Sequence, residues 1–215
     1  MKILMVAGGK VDIDQLLYTA RDMKKKPGED DLYIIGIDGG MKALKEAGLR
    51  PDIGVGDFDS VNASDYIDTP IEKLCPEKDD TDTEHALHMA IEKCPEEIVI
   101  MGATGTRLDQ TIASIELLKY AVDAGIKAII LDPTNRIRVA KGETVITQDD
   151  SFGYYLSVIP YAEELTDLTM KGFKYEIEDF NLKKGTSRCI SNEVVSEKAV
   201  INCSGYYIVM ETCDG

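Results

Sequence analysis

Apolar positions over the first 130 residues fall into short unbroken runs that alternate with helical spacing. Ile3, Leu4, Met5, Val6 and Ala7 form a continuous run that stops at Gly8-Gly9, and Leu16, Leu17, Ala20 and Met23 then recur every three to four residues. The first pattern is that of a strand buried on both faces, the second that of a helix with one apolar side. The pair repeats: residues 32–37 are apolar and end at Asp38-Gly39-Gly40, and Met41, Leu44 and Ala47 then mark a short helix closed by Gly48. Further on, residues 83–93 predict a helix leading to a strand over 98–101. A glycine-rich turn over 102–105 opens a helix reaching about Ala124, and 128–131 is another strand. Buried strands alternating with helices specify a parallel sheet covered on both faces.

After Asp132-Pro133 helical periodicity disappears. Runs at 143–147, 153–159, 165–170, 193–202 and 206–211 are rich in β-branched and aromatic residues and are separated by Gly, Asn, Asp or Lys turns. The expected architecture is an N-terminal parallel-sheet α/β domain over 1–135 followed by a small C-terminal all-β sandwich domain over 136–215. Two domains of this kind predict a substrate cleft between them.

Charge narrows the possible partners. The 215 residues carry 39 acidic against 24 basic side chains, a net −15, which disfavours nucleic acid and anionic membranes as partners. The excess is uneven, with 17 acidic and 7 basic residues between Asp38 and Asp109. The five cysteines are widely spaced without a C-x-x-C pair, which predicts reduced thiols in a cytoplasmic protein, not a disulfide framework or zinc site. No apolar run approaches the roughly 18 residues of a membrane span.

Four places at predicted strand ends or helix starts concentrate chemistry, where open parallel sheets bind ligands. Asp38 ends the second strand. In Gly56-Asp57-Phe58-Asp59-Ser60 an extended backbone would put Asp57 and Asp59 on one side, where their charges call for a cation, and Phe58 on the other as an anchor. Lys78-Asp79-Asp80-Thr81-Asp82-Thr83-Glu84 contains a helix cap, Asp80 or Thr81 with Glu84, and more acids than capping needs, with Asp79 and Asp82 spaced to reach a shared site. Gly102-Ala103-Thr104-Gly105-Thr106-Arg107-Leu108-Asp109-Gln110 offers backbone amides at a helix start for phosphate oxygens and an arginine for developing charge. Neither the P-loop nor the dinucleotide glycine pattern is present. His85 and His88, one turn apart without a third ligand, read as structural, Tyr154-Tyr155 and Tyr206-Tyr207 as strand residues, and Cys189 as unactivated.

In this order the motifs resemble the thiamine pyrophosphokinase family: Asp38-Gly39-Gly40, Pro51-Asp52 leading to Gly56-Asp57-Phe58-Asp59-Ser60, Lys78-Asp79-Asp80-Thr81-Asp82, Arg107-x-Asp109-Gln110, and Ser191-Asn192-Glu193. The resemblance implies an α/β domain followed by a β-sandwich, working as a cytoplasmic homodimer that transfers diphosphate from ATP to the hydroxyl of thiamine with Mg²⁺ and releases AMP. It further implies that Asp38, Asp57, Asp59 and Asp82 hold the metal, that Asp38, Gly39, Gly102, Gly105, Arg107 and Gln110 contact the nucleotide, and that Ser191 and Asn192 help hold thiamine. Asp59, Asp82, Arg107 and Asp109 are the implied catalytic residues, with Asp109 or Asp59 as base. The phosphate loop lacks the adjacent glycines common in that family, and the absence of tryptophan leaves Tyr or Phe to pack on thiamine. A Mg²⁺-dependent phosphohydrolase and a non-catalytic nucleotide- or cation-binding module are the competing readings.

Overall fold

The protein is described from a computed structural model covering residues 1–24, 31–57, 69–74 and 79–215. It divides into two compact units, Met1–Pro133 and Thr134–Gly215.

The first unit alternates strands and helices: β1 (Lys2–Val6), α1 (Ile13–Met23), β2 (Leu32–Ile37), α2 (Gly40–Glu46), β3 (Ile53–Gly56), β4 (Ile71–Lys73), α3 (Asp82–Glu92), β5 (Glu97–Met101), α4 (Leu108–Asp123) and β6 (Lys127–Leu131). The strands pair in the order β4-β3-β2-β1-β5-β6, every pair parallel. β1 is central, with Lys2 in register with Leu32 on one side and Glu97 on the other, and its Ile3, Leu4, Met5 and Val6 are wholly buried. Alternation along the strand sends Leu4 and Val6 to one face, where they pack with Leu16, Ala20 and Met23 of α1 and Leu44 of α2. Ile3 and Met5 point to the other face; α3 and α4, which touch β2, β3 and β6, present Ala86, Leu87, Ala90, Ile115 and Leu118 as their buried residues. Two of the six strands, β3 and β4, escape the hydrophobic pattern because each is only three or four residues long and contains Gly or charged residues.

This strand order has one reversal. From β1 the chain moves outward through β2, β3 and β4, then returns to place β5 on the opposite side of β1. The chain therefore leaves the neighbouring ends of β1 and β5 toward opposite edges of the sheet, which is where such sheets open a crevice.

Helix starts follow local chemistry. Asp12 caps α1 by accepting from the Gln15 amide at 2.8 Å, and Thr81 caps α3 by accepting from the Glu84 amide at 3.2 Å. Among the described residues no helix is long and apolar enough to cross a membrane.

The second unit contains β7 (Asn135–Lys141), β8 (Thr144–Thr147), β9 (Tyr155–Pro160), β10 (Glu164–Lys171), β11 (Ile177–Lys183), β12 (Lys198–Asn202) and β13 (Tyr206–Thr212). β7-β13-β9 and β11-β10-β12-β8 are antiparallel sheets, and Leu156, Val158, Tyr207 and Val209 of the first share a core with Ile146, Leu165, Met170, Leu182 and Ile201 of the second. It is a β-sandwich. Strands β7 and β11 exceed the sequence expectation, β7 because arginines interrupt its apolar face and β11 because it is mostly polar with an irregular register. The expected run over 193–202 forms a strand only from Lys198; its first half makes one isolated bridge, Val194 with Phe173.

Two buried polar groups organise the sandwich. Tyr207 donates its hydroxyl to the Gly142 carbonyl at 3.0 Å and lies 2.6 Å from Thr144 Oγ1; burial pushes its pKa up to about 12. Glu211, 1% exposed, accepts from Arg136 at 2.7 and 3.0 Å, from Arg138 at 2.5 Å and from the Phe152 amide at 3.2 Å. Its burial alone would raise the carboxyl pKa, but the two arginines outweigh burial and hold it below the usual range.

Candidate functional site

A cavity of about 810 Å³ opens at the carboxyl ends of the parallel strands, lined wholly by residues of the first unit. Its size suits a small ligand, commonly accommodated in about 300–1,000 Å³. On one side stand Asp38 after β2, Asp57 after β3, and Asp80, Thr81, Asp82 and Thr83 at the start of α3. On the other lie Gly8, Gly9 and Lys10 after β1, then residues 102–107 after β5 and Gln110, Thr111 and Ser114 of α4.

The acidic side is built on a strained turn. Asp38 has φ of 41°, a left-handed conformation that costs a non-glycine residue energy and recurs at functional positions. Its amide donates to the Val55 carbonyl at 2.9 Å, and its own carbonyl accepts from Met41 at the start of α2. Gly56 makes this approach possible, since a Cβ there would lie 3.3 Å from the Asp38 Cα, Cβ and nitrogen. Asp38 and Asp57 thus reach the cavity from adjacent strands.

The opposite side is two loops locked together. Gly9 donates its amide to Gly102 at 2.8 Å, and a Cβ at Gly9 would come within 2.4 Å of that carbonyl oxygen and 2.6 Å of the Thr104 carbonyl. Thr104 in turn donates its hydroxyl at 2.7 Å to Asp132, a buried carboxylate beyond β6. The loop is held from both flanks. The following helix α4 has Arg107 at its N-cap with no side-chain capping bond, so backbone amides of its first turn face the loop end, where anions are favoured.

Arg107 and Asp109 are both exposed and form a forked pair, with Nε 3.2 Å and Nη2 2.5 Å from the carboxylate oxygens. The Arg107 guanidinium holds the Asp109 carboxyl below its usual range, helped by the Gln110 amide. A carboxylate so placed is a weak base and a good orienting group.

The cavity brings together Asp38, Asp57, Asp82, Gly102, Gly105, Arg107 and Gln110 of the residues expected from sequence. Gly39 and Asp109 are not part of its lining: Gly39 packs against the lining residue Gly8, a Cβ there meeting the Gly8 Cα at 3.2 Å, and Asp109 pairs with Arg107. Asp59, with Phe58, Ser60, Lys78 and Cys75, falls outside the described residues. Asp80, not Asp79, joins Asp82 on the wall. Lys10 is an addition that sequence reading missed; the signal was its place directly after Gly8-Gly9 at the end of the central strand. Among the described residues Lys10 forms no ion pair, and it brings a positive charge to a cavity lined by four carboxylates.

Ser191 and Asn192 belong to the second unit. Asn192 is 3% exposed and spends its amide on structure: Oδ1 accepts from the Tyr175 and Glu193 amides at 3.0 and 2.9 Å, and Nδ2 donates to the Tyr175 carbonyl at 2.8 Å. Ser191, exposed and at φ of 56°, anchors its amide on Ser157 Oγ at 3.0 Å. Together they shape a surface loop around Tyr175.

Oxygen donors dominate the acidic wall, the ligand type of a hard cation. Among the described residues no three of His, Cys, Asp and Glu converge closely enough to hold a metal alone. Mg²⁺ usually takes one or two carboxylates and completes its shell with waters and substrate phosphates, so Asp38, Asp57 and Asp82 around one cavity fit it in kind.

Residues 26–130 match the family described as "Thiamin pyrophosphokinase, catalytic domain", and residues 135–208 match "Thiamin pyrophosphokinase, vitamin B1 binding domain". The chain is 34% identical to the thiamine pyrophosphokinase of Bacillus subtilis over 99% of both chains. Among solved structures it resembles thiamine pyrophosphokinase from Bacillus subtilis (TM-score 0.87, 30% identity, all of both chains). It also resembles thiamin pyrophosphokinase from Geobacillus thermodenitrificans (TM-score 0.84, 31% identity, 100% of this chain and 99% of that one).

Proposed function

Because the chain belongs to the thiamin pyrophosphokinase family, we propose that it transfers the terminal diphosphate of ATP to the hydroxyl of thiamine, giving thiamine diphosphate and AMP. The observation that carries the assignment of roles is the cavity itself, in which an acidic wall faces a loop of backbone amides flanked by Lys10 and Arg107. A triphosphate needs both sides: oxygen ligands for its cation and positive groups for its phosphates. The first unit would be the ATP- and metal-binding domain and the second the thiamine-binding domain. The family match over both units favours this over a phosphohydrolase or a non-catalytic binding module.

Bound with the nucleotide, Mg²⁺ would neutralise phosphate charge and polarise the transferred group. Asp38, Asp57 and Asp82 would hold it, with Asp59 as a further ligand. The amides of Gly102 and Gly105 and the first turn of α4, with Asp38, Gly39 and Gln110, would fix the nucleotide. The thiamine oxygen forms a bond to the β-phosphorus while the bond from that phosphorus to the oxygen shared with the α-phosphate breaks, leaving AMP. Negative charge gathers on the transferred oxygens, where Arg107, held by its pair with Asp109, would meet it. The hydroxyl proton would leave to water as the bond forms, since a loose transition state needs little base assistance, which suits an Asp109 whose carboxyl is held below its usual range.

For thiamine, Ser191 and Asn192 would act through the loop they shape, with the exposed Tyr175 ring as an aromatic surface. A cytoplasmic homodimer completes the proposal, and free thiols at Cys94, Cys189, Cys203 and Cys213 are consistent with that compartment.

The test is incubation with ATP, Mg²⁺ and thiamine, followed by product identification. AMP and thiamine diphosphate are expected in equal amounts. ADP as product, or phosphate release independent of thiamine, would overturn the assignment.

A further inference from the structure

Asp57 and Asp82 reach the cavity from separate elements, β3 and α3, and a side-chain pair outside the cavity lining joins the supports of both. His85 Nε2 lies 2.8 Å from Glu72 Oε1. A carboxylate only accepts, so this bond requires the proton on Nε2. Glu72 sits in β4 in register with Val55 of β3, two residues before Asp57, and the pairing is extended by the Leu74 amide donating to the Gly56 carbonyl at 3.0 Å. His85 sits in the first turn of α3, three residues after Asp82, with its amide on the carbonyl of the capping Thr81 at 3.0 Å.

We propose that Glu72 and His85 are a positioning pair that fixes the separation of Asp57 and Asp82 for a cation–nucleotide complex. This rests on the functional reading above for the identity of the ligand. His85 is 33% and Glu72 40% exposed, so the pair adds little to folding stability. Geometry is what it contributes. β4 is a three-residue strand whose strand partner among the described residues is β3, and a hard cation demanding near-octahedral oxygens tolerates only small errors between carboxylates carried by different elements.

The test compares His85→Ala, Glu72→Ala, the double variant, His85→Gln and Glu72→Gln. Gln at 85 keeps a donor near the Nε2 position, and Gln at 72 keeps the acceptor. Binding of Mn²⁺ with a non-hydrolysable ATP analogue is read by electron paramagnetic resonance, alongside KM for thiamine, kcat and thermal melting. Each Ala variant should weaken cation–nucleotide binding about 3- to 10-fold, the double variant no more than either, and both Gln variants should recover most of the loss. KM for thiamine and the melting temperature should stay unchanged. Unaltered binding in the Ala variants, multiplicative losses in the double variant, or a melting temperature that falls with binding would each overturn the proposal. So would a wild type that binds no Mn²⁺–analogue complex. A wild type that binds the complex but forms no thiamine diphosphate would defeat the functional reading instead, and the variants' binding would still decide the role of the pair.

Discussion

The Gly9 amide donates to the Gly102 carbonyl across 2.8 Å, tying the loop after the central strand to the loop proposed to cradle phosphate. The contact leaves no room for a side chain at Gly9, where a Cβ would stand 2.4 Å from backbone oxygen. Gly9→Ala should therefore spread the two loops. The expected cost is about 1–3 kcal/mol of stability, typical of forced overpacking, with a raised KM for ATP. Urea unfolding and nucleotide titration check both; an unchanged KM would mean the loops' spacing does not govern phosphate binding.

Lys10 begins its service where Gly9 ends. As a positive group in a cavity lined by four carboxylates, it is expected to contact nucleotide phosphate. Lys10→Ala should weaken ATP binding by roughly 1.5–3 kcal/mol, the scale of a hydrogen bond to a charged group, and KM for thiamine should not move. Lys10→Arg should restore much of the affinity. Calorimetric titration with a non-hydrolysable ATP analogue separates the three proteins, and equal affinities would remove Lys10 from the site.

Asp57→Asn and Asp82→Asn each replace an anionic oxygen ligand by a neutral amide of the same shape. Turnover should fall by about 10²–10³-fold, comparable with loss of one preorganised electrostatic group, while circular dichroism stays that of the parent. Near-normal turnover in either variant would take that aspartate out of the metal set.

Glu211 is the sandwich's electrostatic pivot, and neutralising it takes the buried carboxylate from the partly buried Arg136 and Arg138, leaving Arg136 with the exposed Asp150. Glu211→Gln should destabilise the protein by about 3–5 kcal/mol at neutral pH, the usual cost of breaking a buried ion pair from one side. The folded carboxyl titrates below its ordinary value of 4.5, so the group's contribution is fully present above that value. It is lost as pH falls through the lower folded value. Denaturant midpoints of the parent and the variant should therefore be far apart at pH 7 and draw together on acidification; a gap independent of pH would contradict the pairing.

Much of this was legible in the residues themselves. The buried strand of residues 3–7, the capping Thr81 and the change of rhythm after Pro133 are local patterns, set by periodicity and by hydrogen bonding within a few residues. The aspartates at 38, 57 and 82 were recognisable for a similar reason, since each closes a strand or opens a helix in a short stretch of sequence. Strands β3, β4, β7 and β11 were not, because short or half-polar segments become strands through their neighbours and not through their own pattern.

Tertiary structure alone decided which of those pieces meet. The reversal of strand order beside β1 places the loop of Gly9 and Lys10 against that of Gly102, although more than 90 residues separate them. It also set Glu72 against His85, and it committed Asn192, which sequence suggested for thiamine, to the backbone of Tyr175. Sequence therefore determined the chemical groups available and their order along the chain. Their distances depend on strand pairing and packing between remote segments, which no local stretch of residues encodes.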